Sequence, residues 1–300
     1  MIVSKIKGVI APVIVPFKKN EDIDFDKFTS NLERWNEDKL SGFFISSAAG
    51  EFPFLTEKEK LQLVEAAVQV SDKNKFIIVG TGMESTKETV KMTNKVASLG
   101  ADAALVMPPS FYLNALTPDS YLIDYYTEIA LKTDIPILIY NAPQYTHIEI
   151  PIRIVHQLCD IPNIIGIKEN SPDISRLIEL KKQMPSHFNI IAGLASLWYP
   201  AVALGVEAGI LGMANYVPNE SAGILEAYEN GNCKEALEMF MRLFPVVNAI
   251  ETRYGIPGLK YAASLAGYEG GEVRRPFRPL SEDEQDDLKT SLAAARLFVA

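Results

Sequence analysis

Eight short apolar runs, each followed by an amphipathic stretch, set the limits on what this chain can fold into. They cover residues 9–15, 42–46, 76–80, 103–107, 137–140, 164–168, 188–192 and 208–211. The runs are apolar throughout rather than alternating, which marks parallel strands buried on both faces, and the helical patterns between them supply the covering layers. Eight such units predict an α/β fold, a closed (β/α)8 TIM barrel, over an open doubly wound sheet. No GxGxxG or GxxxxGK[ST] follows any run, so the usual nucleotide-binding reason for an open sheet is missing.

Helix starts are marked between the runs. Thr56 with Glu59 and Ser85 with Glu88 match the S/T-x-x-E capping box, while Thr117 before Pro118 and Ser171 before Pro172 set a capping hydroxyl ahead of a first-turn proline. From about residue 219 strand signals stop, and residues 221–230, 233–243 and 281–298 read as helices, the last opened by Ser281 and Glu284. The expected organisation is a barrel carrying the active site over residues 1–220 and a C-terminal helical extension over residues 221–300.

Composition narrows the partners. With 300 residues, 48% hydrophobic and 22% charged, a large core is available, and a net charge of -9 repels nucleic acid. No run approaches the roughly 18 apolar residues of a membrane span. Cys159 and Cys233 fit no paired or zinc pattern, and Met1-Ile2-Val3-Ser4-Lys5 lacks the order of a secretory signal, so a cytoplasmic protein is expected. His147, His156 and His187 show no metal-ligand spacing, so no metal is expected. Asp283-Glu284-Gln285-Asp286-Asp287 reads as the solvated first turns of the last helix. Leu237, Phe240, Met241 and Phe244, at i, i+3, i+4 and i+7, read as core or subunit contact.

In a barrel of this kind chemistry sits at the C-terminal ends of the strands. The sixth run ends Ile164-Ile165-Gly166-Ile167-Lys168, and alternation puts Lys168 on one face with Gly166, which is expected to leave room for a small substrate. An ordinary lysine is neutral in only about one molecule in a few thousand at pH 7, but burial among Ile and Gly disfavours the charge and exposes a nucleophile that condenses with ketones. The competing view is a strand-end lysine reaching to solvent. The fifth run ends Ile137-Leu138-Ile139-Tyr140-Asn141, bringing a phenol to the same rim, where it serves either as a proton carrier or as a core aromatic with one hydrogen bond.

Together these residues resemble the dihydrodipicolinate synthase and N-acetylneuraminate lyase family, the pyruvate-dependent class I aldolases. Tyr140-Asn141-Ala142-Pro143 is similar to the family's Y-N-x-P, and Gly166-Ile167-Lys168-Glu169 to its G-[IV]-K-[ED]. Gly50-Glu51 matches the end of its G-[ST]-[ST]-G-E loop, and Arg275-Pro276-Phe277-Arg278-Pro279-Leu280 its R-x-P-x-x-P-L stretch. The resemblance implies a homo-oligomer, a dimer or tetramer, whose Lys168 forms a Schiff base with a 2-oxo acid such as pyruvate, without a cofactor. It implies Tyr140 as proton relay and Tyr112, in Phe111-Tyr112, as a residue reaching a neighbouring subunit's site. Ser47, Ala48, Ala49, Asn170, Gly193 and Leu211, just beyond the second, sixth and seventh runs and closing the eighth, are the expected substrate contacts.

Three departures bear on substrate. Ala48 and Ala49 stand where the family loop carries two hydroxyls, leaving backbone N–H groups and Ser47 as substitutes. Tyr145 stands where dihydrodipicolinate synthases carry an arginine, a bidentate carboxylate grip that a phenol does not replace. Gly193-Leu194-Ala195-Ser196 lacks the acidic pair of sialic acid lyases. Gly50-Glu51-Phe52-Pro53-Phe54-Leu55-Thr56 looks most like the 4-hydroxy-2-oxoglutarate aldolase branch, with 2-keto-3-deoxy-sugar-acid aldolases close behind. The expected activity is therefore aldol cleavage or condensation of a 4-hydroxy-2-oxo acid or a 2-keto-3-deoxy sugar acid, with pyruvate as product or donor. The alternatives are a 4-hydroxy-tetrahydrodipicolinate synthase or keto-deoxy-acid dehydratase using the same imine, and a catalytically weak 2-oxo-acid binding protein.

Overall fold

A computed structural model describes residues 5–113 and 119–298. Its eight strands follow in chain order around a closed parallel barrel. They are β1 (Gly8–Pro12), β2 (Gly42–Ile45), β3 (Phe76–Gly80), β4 (Ala103–Val106), β5 (Ile137–Asn141), β6 (Ile164–Glu169), β7 (Asn189–Ala192) and β8 (Ala208–Ile210). Every expected run became a strand, and boundaries moved by three residues at most, at the end of β1. The intervening helices are α1 (Phe25–Asn36), α2 (Glu57–Val70), α3 (Thr86–Ser98), α4 (Asp119–Lys132), α5 (Pro143–Thr146), α6 (Ile152–Leu158), α7 (Ile174–Gln183) and α8 (Trp198–Ala203). After β8 come α9 (Pro218–Glu229), α10 (Cys233–Ala249), α11 (Gly255–Leu265) and α12 (Glu282–Ala294).

Backbone contacts divide the chain into two compact units. One holds residues 5–7 and 77–210 of those described. Its core is the apolar face between β4, β5, β6 and their helices, where Val106, Tyr126, Ile129, Ile139, Ile154 and Ile167 are all buried. The Tyr126 hydroxyl donates to Val106 O at 3.0 Å, so the ring is buried with its polar end satisfied. The other unit holds residues 8–76 and 211–298 of those described. There the fully buried Asn215 ties down the end of β1, donating to Pro12 O at 3.0 Å and accepting from Ile14 N at 3.1 Å.

The capping expectations divide. Thr56–Glu59 and Ser281–Glu284 form complete capping boxes. Ser85 precedes α3, but its side chain caps nothing, because the Thr89 hydroxyl lies there instead, bonded to Met83 N and Ser85 O. Ser171 does not cap α7 either; that role falls to Asp173, the residue after the proline, which accepts from Ser175 N at 2.8 Å. Thr117 and Pro118 lie outside the described residues.

The C-terminal region holds one more helix than expected. α10 continues through Pro245 into a π-helical turn, Ile250–Tyr254, which Gly255 ends at φ 57° and ψ -145°, a conformation open essentially to glycine alone. α11 follows directly, its amphipathic signal broken by Gly255, Pro257 and Gly258. On α10, Phe240 is buried while Leu237 and Met241 face solvent, so the apolar stripe is only partly core. No helix among the described residues is long and apolar enough to cross a membrane.

Candidate active site

Parallel pairing of β5 with β6 sets Tyr140 opposite Lys168 and Asn141 opposite Glu169. That register depends on an irregularity: Ile137 pairs with Ile164 but Leu138 pairs with Gly166, so Ile165 is an extra residue in β6. Regular continuation from the first pair would have brought Ile167, not Lys168, opposite Tyr140. The bulge is what makes the amine and the phenol neighbours.

Both side chains are buried, each with 4% of its surface exposed. Lys168 Nζ donates to Tyr140 Oη at 3.1 Å and lies 4.2 Å from the centre of its ring. Burial pushes the Tyr140 hydroxyl well above the ordinary phenol range, and Tyr145 adds to the shift. Tyr140 is therefore a neutral phenol at physiological pH, able to accept from the amine and to give its own proton to an oxygen beside it. The pair can form and break bonds at a carbonyl carbon. The strand-end lysine does not reach to solvent.

Gly166 does not create the expected substrate space. A Cβ there would lie 2.4 Å from Asn189 O and 2.7 Å from Asn189 Cβ, so the glycine admits the close approach of β7 instead. Asn189 fills that space and bonds both ways, donating to Ile165 O and accepting from Ile6 N, each at 2.8 Å.

Gly193 likewise permits a close approach, at the end of Lys168's strand. A Cβ at Gly193 would lie 2.3 Å from Asn170 Oδ1, and its own N–H donates to Glu169 O at 2.8 Å. Asn170, buried at the end of β6 with its N–H on Asn141 O, is thus packed against Gly193. Asn170 is a strand-end residue ahead of the Ser171-Pro172 turn.

In the other unit, the turn after β2 carries Ser46 at φ 54° and Glu51 at φ 59°, two left-handed residues within six positions. Ser47 does not offer a free hydroxyl, since Oγ donates to Val13 O at 3.3 Å and accepts from Gly50 N at 3.0 Å. The hydroxyl sequence reasoning overlooked is Ser46, whose Oγ is buried with no protein partner among the described residues. Ala49 is buried and Ala48 half-buried. Leu211 is fully buried and its N–H donates to Ile10 O at 3.2 Å.

Tyr112 stands on the surface, 69% exposed, stacked edge-on against Phe111 with ring centres 5.0 Å apart. Glu84, which the sequence did not single out, holds this segment by accepting from Ser110 N and Phe111 N at 3.0 Å each. Tyr145 is half-exposed on α5. Among the described residues no group of three or more His, Cys, Asp or Glu is placed to hold a metal ion.

Three comparisons bear on this geometry. A family model described as the dihydrodipicolinate synthetase family matches residues 5–295. A 4-hydroxy-tetrahydrodipicolinate synthase from Methanothrix thermoacetophila is 32% identical over 289 residues, spanning 95% of this chain and 96% of its own. Among solved structures, the 4-hydroxy-tetrahydrodipicolinate synthase of Methylacidiphilum fumariolicum SolV superposes with a TM-score of 0.90 at 28% identity, over 97% of this chain and 96% of that one. YagE, a prophage protein from E. coli solved in complex with pyruvate, gives a TM-score of 0.92 over 97% and 99%, and at 24% identity it speaks for the fold alone.

Proposed function

We propose that this chain, which belongs to the dihydrodipicolinate synthetase family and is a carbon–carbon lyase of the pyruvate-dependent aldolase type, joins pyruvate to an aldehyde through an imine at Lys168. The observation that carries the proposal is the buried 3.1 Å contact between Lys168 Nζ and Tyr140 Oη. The neutral amine adds to the C2 carbonyl of pyruvate, and the Tyr140 hydroxyl gives its proton to the departing oxygen, which leaves as water. The iminium withdraws electrons from C3, which loses a proton to become an enamine. The enamine carbon then attacks the aldehyde, the new alkoxide takes a proton, and water releases the 4-hydroxy-2-oxo acid from Lys168.

The names of the relatives support a 4-hydroxy-tetrahydrodipicolinate synthase as the finer assignment, in place of the aldolase acting on a 4-hydroxy-2-oxo acid that sequence alone favoured. One observation keeps the aldolase as a second reading: Tyr145 occupies the position of the synthases' arginine, so a carboxylate on the aldehyde lacks that grip. A homo-oligomer belongs to the same proposal, supported by the exposed Phe111 and Tyr112. Cys159, buried, and Cys233, exposed, are thiols and not a disulfide, which supports a reducing, cytoplasmic setting.

Borohydride reduction in the presence of pyruvate, read by intact mass and peptide mapping, tests the imine. A reduced pyruvate adduct on Lys168 is expected, and its absence overturns the proposal. Product analysis with pyruvate and aldehydes bearing or lacking a carboxylate then separates synthase from aldolase. An adduct without turnover on any aldehyde would instead mark a 2-oxo-acid binding protein.

A further inference from the structure

We propose that Glu169, held by Arg176, is a positioning residue for Lys168, fixing from the back of the sheet the register that sets the amine against the Tyr140 hydroxyl; this rests on the imine reading above. Side chains alternate across a strand, so in the paired β5 and β6 the Tyr140–Lys168 pair lies on one face and Asn141–Glu169 on the other. The Glu169 side chain is wholly buried. Its Oε1 accepts from Asn141 Nδ2 and from Ser171 N, each at 2.8 Å, and its Oε2 accepts from Arg176 Nε at 2.6 Å. The far ends of those partners converge as well: Asn141 Oδ1 accepts from Ile150 N at 2.9 Å, and the Arg176 guanidinium donates to Ile150 O. Arg176 Nη1 stands 3.5 Å from the Glu149 carboxylate at the surface.

One carboxylate therefore joins β5, β6, α7 and the segment before α6. Stability is a weak reason for such a site, because desolvating two charges offsets much of their attraction and apolar residues would fill the space as well. Geometry is the stronger reason. Three directed, charge-assisted bonds on one carboxylate fix how far β6 has slid and how it is rotated. That constraint is needed here, since the extra residue Ile165 leaves two registers open to β6, and the regular one opposes Tyr140 with Ile167. The Asn141–Glu169 bond forms only in the register that opposes Tyr140 with Lys168.

The test measures the rate at which pyruvate and borohydride label Lys168 at 25 °C, far below unfolding, in the unaltered chain and in Glu169→Gln, Arg176→Met and Arg176→Lys. Gln at 169 turns an N–H toward Arg176 Nε and releases the guanidinium. Labelling is expected to slow on the order of 10- to 100-fold in Glu169→Gln and Arg176→Met, with the pyruvate concentration for half-maximal rate changing less than about threefold. Arg176→Lys keeps a charge on the carboxylate and is expected to recover most of the rate. A structural role alone would lower the melting temperature and leave the labelling rate of the folded protein unchanged. Should Glu169→Gln fail to fold, the two Arg176 variants decide: equal rates in both, matching the unaltered chain, overturn the positioning role. No label in the unaltered chain overturns the imine itself and this proposal with it. Label that forms equally fast in every variant overturns only the positioning.

Discussion

A second buried ion pair offers the sharpest stability test. Lys260 in α11 is 2% exposed, and its Nζ donates to Glu51 Oε1 at 2.7 Å and to Glu272 O at 2.5 Å, while Glu51 Oε2 accepts from Arg274 N at 2.9 Å. Burial lowers the ammonium from its ordinary 10.5 to about 8, against the raising effect of Glu51. At about 1.4 kcal/mol per pH unit that displacement is about 3 kcal/mol, the net penalty of carrying the charge inside. Below pH 8 the folded and unfolded chains both hold the proton and the full penalty applies. Between pH 8 and 10.5 only the unfolded chain holds it, so stability rises with pH through that window. Removing the lysine alone does not relieve the penalty, because it strands the fully buried Glu51 carboxylate, and breaking such a pair costs about 3–5 kcal/mol. At roughly 2 °C per kcal/mol for a chain of this length, Lys260→Met should melt about 6–10 °C lower at pH 7. The double variant Lys260→Met with Glu51→Gln removes both charges and should recover at least half of that loss. Circular dichroism melts at pH 7, with urea unfolding of the unaltered chain and Lys260→Met at pH 8, 9 and 10, supply the readouts. The unaltered chain should gain about 1 kcal/mol per pH unit relative to the variant. A single variant as stable as the unaltered chain, or a double variant no better than the single, refutes the reasoning.

Tyr140→Phe keeps the ring over Lys168 and removes the hydroxyl, so turnover should fall about 10²- to 10⁴-fold with little change in melting temperature; unchanged turnover in steady-state assays excludes Tyr140 as proton carrier. Gly166→Ala drives a methyl to 2.4 Å from Asn189 O, forces β6 from β7, and should cost about 1–3 kcal/mol or more in urea unfolding. Ser281→Ala removes a complete capping box and should cost about 1 kcal/mol, whereas Ser85→Ala removes no cap and should stay within about 0.5 kcal/mol. Equal losses at the two serines would contradict the capping geometry.

Strand number, strand order and the place of Tyr140 and Lys168 at their strand ends were legible because all three follow from local pattern: a doubly buried parallel strand is a plain apolar run, and its end is visible as the first polar residue. What stayed hidden depends on pairing. Nothing in Ile164-Ile165-Gly166 reveals that Ile165 is an extra residue, since a bulge is a property of two strands and not of one. The same limit explains Gly166, expected to border a cavity and found to accommodate Asn189 of the next strand. Glu169 matched a motif position, but its proposed role emerges only from Asn141 of β5, Ser171 of the turn that follows and Arg176 of α7.

Burial alone would not have singled out the proposed nucleophile. Among the described residues Lys75, Lys168 and Lys260 are all buried. Lys75 Nζ donates to Asp38 O and Leu40 O at 2.9 Å each, and Lys260 Nζ to a carboxylate and a carbonyl. Those acceptors have no proton to give, so they favour the charged form and use the lysine as a tie between segments. Lys168 donates to a phenol, the one kind of partner here that can take a hydrogen bond from the amine and return a proton to whatever oxygen the amine has attacked. The chemistry of the acceptor, more than the depth of the lysine, separates a structural ammonium from a reactive amine. It follows that Tyr140→Asp, which replaces the phenol by a carboxylate, should abolish pyruvate labelling of Lys168. Labelling that survives the exchange would mean that depth alone makes the amine reactive.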